Sequence, residues 1–218
     1  DADGAGYVDD IAGWDFLYGD HDPFDTVDYG HGTGEALDSV ASENGQRDVG
    51  GCPRCRFLPV RVSDSFIADG GRFAAGVVYS LDQGADVIQE ALGALGNPRQ
   101  AQAAIDAAVA RGVPVVALRP VEDSPPPPHP AALERTIAVN SVTGKENDLL
   151  GTPNEGWLAL NGCTNSGGRT FVSVPSSACS SEATGQAAGV VALVESYARE
   201  VGVTSHPDLP PTPGANVL

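Results

Sequence analysis

The chain has 218 residues, enough for one domain with a full hydrophobic core. Its 29 acidic and 12 basic residues give a formal net charge of −17. This charge argues against nucleic acid or an anionic membrane as the main partner, because both attract basic surfaces. The hydrophobic content of 41% is that of a globular protein, and no apolar run approaches the ~20 residues of a membrane span. The composition predicts a single acidic domain, 1–218, whose charge suits calcium, basic substrates or simply solubility.

The pattern of apolar residues and helix breakers alternates strands with helices along the chain. Residues 1–30 are predicted to be irregular, and helical periodicity begins at His31. The next predicted elements are a strand at 57–62, a helix from the cap Asp69 to Gln83, a strand at 86–91, a helix behind the cap Asn97, and a strand at 113–117. Strands at 136–140 and 171–174, a surface excursion at 143–170, a buried helix at 183–199 and an extended tail at 207–218 complete the prediction. This alternation predicts an α/β fold with helices on both faces of a mainly parallel sheet.

Four cysteines stand at positions 52, 55, 163 and 179. An even number favours disulfide bonds and an oxidising, extracellular compartment. A zinc site is an alternative, but Cys163 and Cys179 are too far apart in sequence to form a second knuckle, and no histidine lies near them. A redox-active Cys52-x-x-Cys55 is a weaker alternative, because such a motif normally opens a helix. We expect two local disulfides.

Two segments carry residues suited to nucleophilic catalysis. His31 lies between glycines at the start of a predicted helix, where small neighbours let a substrate backbone approach the imidazole. Ser181 lies at a loop-to-helix junction, where helix amides and the positive end of the helix dipole surround the hydroxyl. Each has a structural alternative, a core histidine for His31 and a helix N-cap for Ser181.

Together these segments carry a family resemblance. The segment 30–33, Gly-His-Gly-Thr, resembles the histidine motif of the subtilisin-like serine proteases, and the segment 180–189 resembles their serine motif, although Cys179 replaces its leading glycine. Segments that resemble the family also occur, in the family's order, at 6–10, 13–16, 58–62, 84–93 and 136–139. The resemblance implies a subtilisin-like three-layer sandwich and a secreted serine endopeptidase. In such an enzyme Ser181 is the nucleophile and His31 the general base.

The resemblance also implies a substrate-binding segment, and it shows that the family's orienting aspartate has no counterpart at the expected place in this sequence. Residues 91–93 (Ala91, Leu92 and Gly93) would pair with the backbone of a peptide or protein substrate. The family's orienting aspartate normally ends a strand before the histidine, and no such strand is predicted in residues 1–30. We therefore expect this aspartate upstream of residue 1, or on another chain or segment that acts as a partner, which makes 1–218 a partial domain.

The oxyanion donor departs from the family as well. Val121 stands where the family has an asparagine, and a valine side chain donates no hydrogen bond. Candidates for a replacement are Asn161, Asn165 and the backbone amide of Ser181. Both departures leave open an alternative function, a catalytically impaired pseudoprotease or peptide-binding module on the same fold.

The first residues resemble an oxygen-rich calcium loop. Asp1, Asp3 and Asp9, with Tyr7, have the 1, 3, 7, 9 spacing of such loops, although Ala5 and Ala12 stand where further ligands are expected. The hydrolysis itself requires no cofactor, so we expect at most a structural Ca²⁺. A plain acidic loop is the alternative.

Overall fold

The computed structural model describes residues 6–25, 30–46, 48–119, 130–144, 158–160, 164 and 170–203. Its helices are α1 His31–Val40, α2 Gly70–Asp82, α3 Pro98–Ala110 and α4 Ser180–Glu200. Its strands are β1 Trp14–Asp15, β2 Val60–Arg61, β3 Ile67–Asp69, β4 Ile88–Glu90, β5 Gly93–Leu95, β6 Val115–Leu118, β7 Ile137–Gly144, β8 Leu158–Leu160 and β9 Val172–Pro175. None of the helices among these residues is long and apolar enough to cross a membrane.

The sheet is mainly parallel, as predicted. Strand β4 pairs parallel with β6, β6 with β7, and β7 with β9, while β8 joins β7 antiparallel. Two shorter parallel pairs, β1–β2 and β3–β5, lie outside this five-stranded sheet.

Helices cover both faces of the sheet. The side chain of Val115 packs in a cluster with Phe73 of α2 and Ile105 of α3, and its neighbour Val116 packs with Ala183 and Ala187 of α4. Because successive side chains of a strand point to opposite faces, α2 and α3 lie on one face and α4 on the other. This arrangement is a three-layer α/β sandwich.

Helix starts follow the predicted signals, with one difference. The carboxylate of Asp69 accepts hydrogen bonds from the amides of Gly71 and Arg72, which is the capping interaction expected there. At the start of α3, Pro98 occupies the first turn as predicted, but the Asn97 side chain makes no capping bond, because its backbone is left-handed with φ 46°.

Three other sequence predictions need correction. The strand predicted at 57–62 is reduced to β2, and β8 interrupts the predicted surface excursion. Helix α4 is not buried all round, since Val190, Leu193 and Tyr197 are each more than half exposed. Its buried side is made of the small residues that face the sheet and α1, so the larger apolar residues fall on the outer side.

Candidate active site

Helices α1 and α4 pack in very close contact because two glycines of α4 leave room for α1. A Cβ atom at Gly185 would lie 2.8 Å from the carbonyl oxygen of Glu35 and 2.8 Å from the Cβ of Asp38. A Cβ at Gly189 would lie 2.7 Å from the carbonyl oxygen of Ser39. The Ser39 hydroxyl also donates to the carbonyl of Gly185 at 2.9 Å. From the first contact to the second, the contacting residue changes from Glu35 to Ser39 on α1 and from Gly185 to Gly189 on α4. Both changes run toward the carboxyl end, so the two helices are parallel.

This parallel register brings His31 and Ser181 to the same end of the helix pair. His31 begins α1, one turn before Glu35, and Ser181 lies in the first turn of α4, one turn before Gly185. The N-cap of α4 is Cys179, so the alternative of Ser181 as a capping serine is wrong. The imidazole of His31 packs edge-on against Phe66, with ring centroids 4.9 Å apart.

A carboxyl that the sequence analysis did not single out contacts the imidazole. Oε1 of Glu35 lies 3.4 Å from Nε2 of His31, one helical turn apart on α1. Glu35 is only 8% exposed, and its Oε2 has no hydrogen-bond partner among the described residues. Burial, and to a lesser extent the charges of Asp38 and Glu182, raise the pKa of Glu35 to about 8. Glu35 is therefore a neutral acid near pH 7.

Two more carboxyls complete an acidic cluster between α1 and α4. Burial, and then the charges of Glu182 and Asp48, raise the pKa of Asp38 to about 6. Glu182 is turned to the loop before α4, where it accepts hydrogen bonds from the amides of Ser177 and Ala178. Glu35, Asp38 and Glu182 thus concentrate acidic groups beside the residues expected to perform catalysis.

A cavity of about 1480 Å³ begins at His31 and extends between β2 and β4. Among the described strands, β2 pairs only with β1, and β4 pairs only with β6, so each turns an unpaired edge toward this space. The helices on the two faces close the other sides, through Ala36, Ser39, Ala188 and Gly189 of α1 and α4 and Phe73, Gly76 and Val77 of α2. We call this space the channel.

The two strands that flank the channel, β2 and β4, run in the same direction. Strand β2 leads into β3 and β4 leads into β5, and β3 and β5 lie side by side in parallel register. The carboxyl ends of β2 and β4 therefore meet at one edge, which is also where Phe66 contacts His31. A strand parallel to both in the channel would end at His31.

The walls of the channel carry buried polar atoms that lack described partners. They are Oε2 of Glu35, Oε2 of Glu90 and Nη2 of Arg61. The channel is thus not an ordinary packing defect of a hydrophobic core.

The aspartates of the N-terminal segment have other roles. The carboxylate of Asp15 is fully buried and bonds the guanidinium of Arg61 at 2.8 Å and the amide of Leu17. Asp10 accepts a hydrogen bond from the Tyr79 hydroxyl at 3.0 Å. These contacts tie Asp15 to β2 and Asp10 to α2.

The structure describes one of the three predicted calcium ligands, Asp9. Asp9 is exposed, with a left-handed backbone of φ 61°, whereas Asp1 and Asp3 lie outside the described residues. Within the described part of the chain no three His, Cys, Asp or Glu residues form a group suited to a metal ion. Calcium binding stays a prediction.

The predicted substrate-pairing segment lies at the mouth of the channel. Ala91 and Leu92 line it, and Gly93 begins β5. The amide of Leu92 donates to Oε1 of Glu90 at 3.2 Å, and the amide of Gly93 donates to the carbonyl of Phe66 at 2.8 Å. Glu90 is buried, which raises its pKa well above the ordinary value. Pairing with a substrate would therefore use the carbonyls of this segment or displace these internal bonds.

The remaining predicted residues are described in part. Cys52 and Cys55 form a disulfide, with Cα atoms 5.4 Å apart. Cys179 is also disulfide-bonded, whereas Cys163 lies outside the described residues. The oxyanion candidates Asn161 and Asn165, and Val121 with them, lie outside as well.

Comparison with known families decides the identity of the fold. The model of the subtilase family matches residues 6–206. The chain belongs to the subtilase family. This subtilase is 33% identical over 141 residues to thermitase of Thermoactinomyces vulgaris, a match that covers 63% of the chain and 49% of thermitase. It is 34% identical over 140 residues to a thermophilic serine proteinase of Bacillus sp. (strain AK1), covering 61% of the chain and 33% of that protein.

Solved structures show the same architecture. The protease domain of PatA superposes with a TM-score of 0.64 at 22% identity, covering 80% of the subtilase and 67% of that chain. Sphericase superposes with a TM-score of 0.64 at 19% identity, covering 80% and 64%. These likenesses confirm the subtilisin-like fold. The matched region spans about half of thermitase and a third of the Bacillus proteinase.

Proposed function

We propose that the protein is a serine endopeptidase in which Ser181 attacks the peptide carbonyl and His31 takes the proton of its hydroxyl. The observation that carries this proposal is the parallel register of α1 and α4, which brings both residues to one end of the helix pair. The imidazolium then gives its proton to the leaving amine, and water hydrolyses the acyl-enzyme with His31 again acting as base. The amide of Ser181, at the positive end of α4, is one donor for the oxyanion, with Asn161 or Asn165 as the second.

We propose further that the orienting aspartate reaches His31 on an extended strand that fills the channel. The unpaired edges of β2 and β4 would bond to both sides of this strand, and its carboxyl end would lie at His31. The strand's own peptide groups would supply partners for the polar atoms of Glu90 and Arg61. In the chymotrypsin-type case, loss of the aspartate lowers the rate about 10⁴-fold, so filling the channel should control activity.

The test uses a fluorophosphonate probe, which labels an activated serine. The chain is joined at residue 1, through a flexible linker, to a seven-residue segment of alternating valine and alanine that ends in aspartate. We expect rapid labelling of this fusion and no labelling after Ser181→Ala or His31→Ala. A fusion that is stabilised against heat but stays unlabelled, while still binding peptides, would instead support a peptide-binding module.

A second fusion separates the strand from its charge. With the terminal aspartate replaced by asparagine, the melting temperature should stay as high as in the first fusion while labelling falls by orders of magnitude. A fusion with a central proline cannot pair on both edges and should show neither effect. Equal melting temperatures for all three fusions would contradict strand binding in the channel.

The same proposal includes a substrate class, an extracellular location and a structural calcium ion. Peptide or protein substrates suit an endopeptidase, and the Cys52–Cys55 disulfide supports an extracellular location. A structural Ca²⁺ at Asp1, Asp3 and Asp9 would raise the melting temperature, and a chelator would lower it again. An unchanged melting temperature on calcium addition would speak for a plain acidic loop.

A further inference from the structure

We propose that Phe66 covers the imidazole of His31 until a peptide pairs with residues 91–93, so that the substrate itself uncovers the base. The ring of Phe66 contacts the imidazole, and its backbone carbonyl accepts a hydrogen bond from the amide of Gly93. One residue therefore joins the proposed base to the proposed substrate segment. The inference rests on the proposed peptidase function, but the cover itself can be measured without activity.

The ring of Phe66 lies between the imidazole and solvent. The two ring centroids are 4.9 Å apart and the ring planes meet at 81°, which is the edge-to-face geometry that aromatic rings prefer. Phe66 is half exposed, whereas the side chain of His31 is only 19% exposed although it begins α1. A ring that keeps half of its surface in water while it contacts a mostly buried ring is the outer of the two. The phenyl ring thus reduces the access of small reagents to the imidazole.

The carbonyl of Phe66 occupies the edge that a substrate strand would use. The amide of Gly93 donates to this carbonyl at 2.8 Å, and from there β3 and β5 run in parallel register, with Ile67 opposite Gly93. The N–H and C=O groups of one residue in a strand point to the same side. A peptide that pairs with Gly93 through both groups must therefore displace the carbonyl of Phe66.

The ring and the carbonyl of Phe66 should move together with the start of β3. The hydroxyls of Ser63 and Ser65 donate to the carbonyl of Ile67 at 3.0 Å and 2.9 Å, and the amide of Ile67 donates to the Ser65 hydroxyl at 3.2 Å. These bonds close the chain around Phe66 into one turn. Displacing the carbonyl of Phe66 then moves the whole turn, and the ring leaves the imidazole.

The β3–β5 ribbon is small enough to open. It has two strands of three residues each, and isolated two-stranded ribbons are marginally stable. Its buried face holds only the methyl groups of Ala68 and Ala94, while Ile67 and Leu95 are about half exposed. A peptide that replaces one set of backbone hydrogen bonds by another can therefore open the ribbon with little net change in free energy.

Two other roles of Phe66 explain the geometry less well or predict different behaviour. For a pure packing role, a phenyl ring with half of its surface in water gains only part of the free energy that full burial provides. As the wall of a substrate pocket, the ring would contribute to peptide binding. The loss of a pocket wall would slow reaction with peptides, whereas the loss of a cover would not.

The direct test is the modification of His31 by diethyl pyrocarbonate in the 218-residue chain at neutral pH, resolved by mass spectrometry. Exposed His21 is the reference within the same molecule. We expect Phe66→Ala to speed modification of His31 relative to His21 by about 3- to 10-fold, the factor that corresponds to the loss of one aromatic contact. Phe66→Tyr keeps the ring and should behave as the wild-type protein does, as should Phe57→Ala, which removes a similarly exposed phenylalanine. An unchanged rate for His31 in Phe66→Ala would overturn the proposal.

A second variant tests the backbone contact. Gly93→Pro removes the amide that bonds the carbonyl of Phe66 and leaves the phenyl ring in the chain. It should uncover His31 to the same extent as Phe66→Ala, and the double variant should add nothing further, because both changes release the same cover. A melting temperature near that of the wild-type protein confirms the folding of each variant. A folded Gly93→Pro variant with a fully protected His31 would contradict the coupling.

The coupling to substrate is measured with Gly93 intact, in the fusion whose attached strand ends in aspartate. One probe is a simple alkyl fluorophosphonate, and the other carries the same reactive group on a tri-alanine peptide. Phe66→Ala should label about 3- to 10-fold faster with the simple probe and at nearly the wild-type rate with the peptide probe, because a paired peptide has already displaced the ring. Equal changes for both probes, or a slower reaction of the peptide probe alone, would overturn the proposal. If His31 is uncovered as expected but no fusion labels, the cover stands and the proposed peptidase function falls.

Discussion

Replacing Glu35 with glutamine should flatten the pH dependence of the free energy of unfolding between about pH 4.5 and pH 8. The folded protein raises the pKa of this carboxyl from 4.5 to about 8, so the folded state binds a proton that the unfolded state has lost. The stability that comes with the protonated carboxyl is complete below pH 4.5 and is lost as the pH rises through 8. At about 1.36 kcal/mol per pH unit, the loss is on the order of 5 kcal/mol.

The assay is urea unfolding at pH 5 and pH 8, followed by circular dichroism, for the wild-type protein and Glu35→Gln. The wild-type midpoint should fall sharply between the two pH values, and the variant midpoint should move much less, with the slope unchanged in both. Asp64→Asn is the control, because Asp64 is exposed and its removal should leave the wild-type behaviour intact. An undiminished fall in Glu35→Gln would refute the argument that burial keeps this carboxyl protonated.

Two further substitutions test the packing around the site. Gly185→Ala forces a methyl group to within 2.8 Å of the Glu35 carbonyl oxygen and should cost about 1–3 kcal/mol, measured by urea unfolding, whereas Gly34→Ala meets no atom within 4 Å and should be neutral or slightly stabilising. Equal effects of the two would contradict the close approach of α1 and α4. Asp15→Ala leaves the guanidinium of Arg61 without its buried partner and should cost about 3–5 kcal/mol in the same assay, while a loss below 1 kcal/mol would show that the pair is dispensable.

Much of the framework follows from local signals in the sequence. Asp69 and Pro98 mark helix starts that the structure has, because capping and the fixed proline φ act over a few residues. Successive side chains of β6 pack alternately against the two helix layers, and all four residues of the strand are buried. The continuous apolar run of this strand predicts burial on both faces. The motif order predicts that His31 and Ser181 belong together, and the register of α1 and α4 supports this.

Glu35 and the channel could not be predicted in the same way. On α1 alone, Glu35 looks like an exposed acidic residue, and its burial comes from glycines of α4 that stand 150 positions later in the chain. The spacing of His31 and Glu35 was a signal, since residues four apart share one helix face. Strand β1 is only two residues long and is held by the Asp15–Arg61 pair, which leaves no periodic pattern in the sequence.

The channel between β2 and β4 also affects which part of the molecule unfolds locally. No backbone ladder among the described residues connects these two strands, so β1–β2 is coupled to the rest through side chains such as Val60 and Val62 against Gly76 of α2. A two-stranded ribbon is marginal by itself. The amides of β1 and β2 should therefore exchange with solvent as a separate, faster unit than those of β6 and β7, and the two units should merge into one cooperative unit when a strand bridges them.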